Sequence, residues 1–200
     1  SLDQHFDNPD LFDKNWYDNG DIFDSAKSFP IWSDGEQYTM AITAEAQTMF
    51  ANQNMLDAAG VNIPTTFDEL LTTGKKLKTG DVSGVAMRSK PDGSAGTWPA
   101  GGFVFSNGGV IMQDGKCVLD SAEAIEAVDY YGRILQEAGP LGVGNYHWYE
   151  CLNDFMQEAT AIGLDSSNFS GDIENPEKSN AAGHTTYGAM VSGPGNQAKP

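Results

Sequence analysis

The sequence predicts an α/β fold, and three observations predict it. From residue 47 onward, short runs with helical spacing alternate with short apolar runs that suit buried strands. Caps and turn residues separate them at short intervals, and no stretch repeats another. This alternation is the pattern of helices packed on a sheet.

Taken in order, Gln37 to Ile42 and Gln47 to Ala51 read as extended, interrupted at Thr43 to Ala46. Asn52 to Ala59 reads as a short helix closed by Gly60, a residue suited to a left-handed cap. Thr66-Phe67-Asp68-Glu69 is a capping box, in which the Thr hydroxyl accepts an N-terminal amide and Glu69 reaches back. Phe67, Leu70, Leu71 and Leu77 then share one helical face. Ser83 to Met87 reads as a buried strand. Trp98 to Phe105 reads as helical, weakened by Gly101 and Gly102. Asp114-Gly115 marks a turn. Ser121 caps a helix whose Ala124, Val128, Tyr131 and Leu135 recur at helical spacing, and Gly139-Pro140 ends it. Another helix is expected from about Trp148 to Gln157, a strand from Ala159 to Leu164, a polar loop over 171–184 and a last strand from Thr185 to Val191.

The first 36 residues differ. Nine acidic and two basic residues are punctuated by Pro9, Gly20, Pro30 and Asp34-Gly35, with no sustained period. Irregular structure with short helical turns is expected there, pinned by Phe12, Trp16, Tyr17, Ile22 and Phe23, with Asp34-Gly35 as a tight turn. The start, SLDQHFDNPD, has neither the basic residues nor the apolar run of a signal peptide, so the chain is either cytoplasmic or begins after the signal. No apolar run reaches the roughly 18 residues of a membrane span.

Composition excludes some functions. With 40% apolar and 10% aromatic residues the chain can build a core. Its 28 acidic residues against 11 Lys and Arg give a net charge of −17, which repels phosphate backbones and argues against nucleic acid as a partner. Solubility or life in salty water explains such a surface; no stretch has a calcium-loop pattern. His5, His147 and His184 show no metal spacing, and no metal or cofactor is implied. Cys117 and Cys151 are expected to be two separate buried thiols rather than a bridge. There is no nucleophile elbow, Walker loop, Rossmann glycine triplet or zinc signature, so an enzyme is not expected. Two other classes stay open: a carbohydrate-active hydrolase using paired carboxylates, and a non-catalytic interaction module.

Seven segments, in order, resemble bacterial extracellular solute-binding proteins of family 1, the substrate-binding proteins of sugar and polyol ABC importers. They are DGEQYTMAITAEAQTMFANQNMLDAAGV, IPTTFDELLTTGKKL, SGVAMRS, SNGGVIM, LDSAEAIEAVDYYGRIL, YHWYECLNDFMQEATAIGLDSS and GDIENPEKSNAAGHTTYGAM. The match runs from about residue 34 to 192. WYEC and IENPEKS look most like the subgroup that carries polyols and monosaccharides. The resemblance implies a type II periplasmic-binding-protein-like fold, here one nearly complete lobe plus part of the other. Residues 1–37 would be the partial first-lobe segment, 38–190 the second lobe between two hinge crossings near Met40-Ala41-Ile42 and Gly188-Ala189-Met190, and 191–200 the start of the return segment or a tail. The family's usual glycine in the segment matched by FMQEATAIG is replaced here by Glu158-Ala159, and family members run to about twice this length.

The same resemblance implies a function: binding a sugar or sugar alcohol in the periplasm or outside the cell, and delivering it to ABC permease subunits in the membrane. A chain holding one wall of a cleft would bind weakly and self-associate. Sugar recognition needs aromatic faces against C–H patches and rigid polar groups against hydroxyls. Glu45 lies where the resemblance to maltose-binding members puts a ligand-contacting carboxylate. Trp98 falls in the segment facing the cleft, Trp148 opens a helix, Asp165 ends a strand at the interlobe rim, and Asn168 sits near a position where relatives stack an aromatic. Each has a plainer reading: Trp98 and Trp148 as core, Glu45 as a turn cap or surface pair, Asp165 as the N-cap of a short helix starting at Ser166.

Overall fold

The computed structural model describes residues 1–93 and 95–195 and divides into two compact units, Ser1–Glu45 and Ala46 onward. In the first unit, three short helices, α1 (Asp3–Phe6), α2 (Lys14–Tyr17) and α3 (Asp24–Ser28), are joined by turns. Asp13 caps α2, its carboxylate accepting from the amides of Asn15 and Trp16. Phe6, Phe12 and Tyr17 cluster, with ring centroids 4.9 and 5.2 Å apart. Trp16 and Phe23, expected as pins, are exposed instead. Trp16 lies on the four-residue α2 and Phe23 just before the five-residue α3, and helices of about one turn bury little of either flank. Asp34-Gly35 makes the expected turn: Gly35 has φ 83°, and Ile31 bridges to Gln37 across it. Residues 38–46 form no regular strand, so the extended run expected from Gln37 to Ile42 is limited to that bridge.

The second unit is built on a mixed sheet of order β2-β5-β1-β6. Its strands are β1 (Gln47–Asn52), β2 (Ser83–Ala86), β5 (Thr160–Ser166) and β6 (Thr185–Ala189), and β3 (Met112–Gln113) and β4 (Lys116–Cys117) make a separate hairpin. β2 runs parallel to β5, whereas β1 is antiparallel to both β5 and β6. Strand β1 is central, and successive residues serve opposite faces. Met49 and Ala51 join the larger core with Phe67, Leu70, Val85, Phe103 and Ile134. Phe50 points the other way, into a smaller core with Leu152, Phe155, Ile173 and Ala181.

Helices α4 (Gln53–Ala59), α5 (Phe67–Leu77), α6 (Thr97–Ser106) and α7 (Ala122–Ala138) supply the larger core; α8 (Trp148–Met156) and α9 (Ser170–Ile173) cover the other face. Their ends follow local chemistry. Asn52 caps α4, which closes on Gly60 at φ 61°. Thr66 Oγ1 accepts from the Glu69 amide, but the Glu69 carboxylate reaches one residue further than a capping box requires, to the Thr65 amide and hydroxyl, both at 2.8 Å. Ser121 caps α7.

The α7 face is rotated from the expected one. Ala127, Ile134 and Ala138 are buried with Ala124 and Leu135, while Val128 is exposed. Sandwiching α7 against both α5 and α6 shifts its buried stripe. The segment expected as a polar loop contains α9 and buries Ile173 and Ala181 against α8 and β1. Close approach fixes Gly84: a Cβ there would lie 1.8 Å from the Gly74 carbonyl oxygen of α5. Cys117 and Cys151 are both free, as expected, but Cys117 is exposed, because the two-residue β4 covers neither face.

Candidate functional site

Strand directions bring several polar side chains to one edge of the sheet. Parallel β2 and β5 end there, antiparallel β1 begins there, and the edge beyond strand carboxyl ends is where open α/β sheets usually bind ligands. It carries Gln47 at the start of β1, Arg88 two residues beyond β2, and Asp165 and Ser166 at the end of β5.

At this edge Asp165 is paired with Arg88. Arg88 Nε lies 2.8 Å from Oδ2 and Nη2 lies 2.5 Å from Oδ1, a bidentate pair. The Asp165 side chain is fully buried and that of Arg88 is 15% exposed. Further bonds hold the pair in place. Asp165 Oδ1 accepts from the Ser166 amide at 2.7 Å, and the Arg88 carbonyl accepts from the Tyr131 hydroxyl at 2.5 Å. Burial pushes the Tyr131 phenol far above its ordinary value, so that it remains a donor.

Arg88 also lies over Trp98, its guanidinium carbon 4.6 Å from the ring centroid. Trp98 is half-buried at the start of α6, and its carbonyl accepts from Gln47 Nε2 at 2.6 Å. A Cβ at Gly102 would fall 1.8 Å from Gln47 Oε1. The glycine that argued against this helix therefore makes room for the amide that fastens it to β1.

A second group of rings lies at the start of α8. Trp148 is 41% exposed, with its ring 5.9 Å from Phe169 and 5.4 Å from Tyr149. His147 stacks on Tyr149 at 5.5 Å and caps the helix, Nδ1 accepting from the Trp148 amide while Glu150 accepts from the His147 amide. Next to Phe169, Asn168 is exposed in the helical turn Ser167–Phe169. Its amide donates to Ser166 Oγ at 3.1 Å, so Ser166 rather than Asp165 caps this turn.

Of the expected residues, Trp98 and Asp165 meet through Arg88, and Trp148 packs near Phe169, the chain neighbour of Asn168. Glu45 is exposed and is the last residue of the first unit. Arg88 and Gln47 were not singled out from the sequence. One signal was present for Arg88: it is one of two arginines in the chain and lies two residues beyond a fully buried strand, where a cation needs a counter-charge. A groove of about 460 Å³ lined by Met55, Ala59, Leu77 and Val82 opens at the opposite end of β2; among its lining side chains only Lys76 and Thr79 are polar. No group of three or more His, Cys, Asp and Glu side chains among the described residues is placed to hold a metal.

The same fold occurs in solved structures. A solute-binding protein of an ABC transporter from Agrobacterium radiobacter, in complex with ribitol, superposes with a TM-score of 0.84 at 24% identity over 91% of this chain and 46% of its own. Maltose-bound MalE3 of T. maritima gives 0.83 at 19% identity, over 93% of this chain and 48% of its own. A solute-binding protein from Agrobacterium vitis with bound D-mannitol gives 0.75 at 19% identity, over 80% and 40%. The chain thus spans about half the length of these proteins or less. No curated protein sequence matches it. Residues 5–198 match the family described as bacterial extracellular solute-binding protein, and the chain belongs to that family.

Proposed function

We propose that this chain binds a sugar or sugar alcohol for an ABC importer, without converting it. The observation that carries the reading is the rigid unit at the sheet edge, a bidentate Arg88–Asp165 pair stacked on Trp98. It combines an aromatic face with fixed hydrogen-bonding groups, which is what a hydroxyl-rich ligand needs. The matched structures with bound ribitol, D-mannitol and maltose support the ligand class. In this reading Trp98 and Trp148 stack on the ligand, Asn168 hydrogen-bonds to it, and Asp165 acts on its polar end through Arg88. The protein acts in the periplasm or outside the cell and hands its ligand to permease subunits. Segments near 40–42 and 188–190 serve as hinge crossings, so that two lobes close on the ligand.

The test is a panel of hexoses, pentitols, hexitols and disaccharides, followed by thermal shift and by product analysis. At least one member should raise the melting temperature and be recovered unchanged. Turnover of any member above background would refute binding without conversion.

A further inference from the structure

We propose that Arg88 is the residue through which this edge hydrogen-bonds its ligand, and that its pairing with Asp165 selects an uncharged polyhydroxy compound over the matching sugar acid. The inference rests on the sugar-binding reading above and narrows it. Asp165 has no exposed side-chain surface, so its carboxylate is positioned to act through Arg88 rather than on a ligand. Arg88 commits Nε and Nη2 to Asp165, lies 4.6 Å over the Trp98 ring and keeps 15% of its side chain exposed. The hydrogen bonds to Asp165 use Nε and Nη2, which leaves the two N–H groups of Nη1 pre-oriented beside an aromatic face.

Charge decides the ligand class. An isolated arginine at such an edge would favour a carboxylate. Here Asp165 already neutralises it, and the surroundings are acidic. Asp154 accepts from the Tyr146 hydroxyl at 2.7 Å, Glu150 lies in the first turn of α8, and Asp92 stands 3.8 Å from His147. Lys90 lies 3.8 Å from Asp92, so a sugar acid would bring a further negative charge to cations that carboxylates already meet, and would give up its hydration to do so. A hydroxyl accepts from Nη1 without that cost.

The experiment is titration calorimetry at low ionic strength with ribitol, D-mannitol and maltose, and with ribonate, mannonate and maltobionate. The neutral member that binds should do so at least roughly tenfold more tightly than its acid. Arg88→Met should weaken the neutral ligand by roughly tenfold or more. Asp165→Asn, which uncovers the arginine charge, should move the ratio toward the acid. Should Asp165→Asn fail to fold, Arg88→Lys keeps the compensated charge without the fork; it should bind more weakly while preserving the preference for the neutral ligand. The shift of that preference in Asp165→Asn is what a purely structural role for the pair would not produce. Acids bound as tightly as their neutral partners, or Arg88→Met binding normally, would overturn this inference alone. A panel bound by none would overturn the sugar-binding reading and this inference with it.

Discussion

Removing one member of the Arg88–Asp165 pair should cost far more than removing both. The Asp165 side chain is fully buried and that of Arg88 is 15% exposed, so either single replacement leaves a charge with little water to receive it. Breaking a buried pair in this way typically costs about 3–5 kcal/mol, whereas replacing both members with apolar residues is often neutral or stabilising. Asp165→Leu should therefore destabilise by about 3–5 kcal/mol. At about 2–4 °C per kcal/mol for a unit of this size, the melting temperature should fall by roughly 6–20 °C. The double variant Arg88→Met/Asp165→Leu should recover most of that loss. Urea unfolding of the wild type, both single variants and the double variant closes the cycle. A single replacement costing under about 1 kcal/mol, as for an exposed ion pair, would refute the buried-pair argument. So would a double variant whose cost is the sum of the two singles.

Further outcomes follow from other positions. Trp148→Ala should weaken ligand binding by about 1–3 kcal/mol if a stacked ring is lost; unchanged affinity in a less stable protein would assign Trp148 to packing. Gly84→Ala should cost about 3 kcal/mol or more in urea unfolding, because its Cβ would meet the α5 backbone rather than a side chain that can move. Glu158, at φ 59°, holds the left-handed turn before β5, and hydrogen bonds from His184 and Asn52 keep its carboxyl below its ordinary value of 4.5. A lowered folded value gives stability that is present above the unfolded value and lost as pH falls through the folded one. Acid unfolding curves should show that loss below about pH 4.5, and His184→Ala should reduce it. With a thiol reagent, Cys117 should react at once and Cys151, buried and with its thiol pushed far up by burial, only on unfolding.

Where a signal is local, the sequence alone was decisive. Thr66 and Ser121 cap their helices, Gly60 closes one in the left-handed conformation, and Asp114-Gly115 turns the hairpin at φ 50° and 74°. A cap involves groups within three or four residues, so its chemistry is written in the adjacent letters. The ordered resemblance of seven segments also carried the family, because order and spacing along a chain are themselves sequence properties. Packing was not legible in the same way. Val128 and Ala127 are neighbours on one helix, and only the placement of α5 and α6 decides which is buried. The change at 158–159 could be read as a departure, but not that a glutamate would take the glycine's conformation and be held there by His184, 26 residues away. Arg88 and Asp165 are 77 residues apart, and nothing local to either names the other. Their meeting depends on β2 running parallel to β5, so that both strands end at the same edge. Local chemistry along the chain determined the elements; the pairing of distant strands, which only the folded sheet supplies, decided which side chains share the edge and lie beside Trp98.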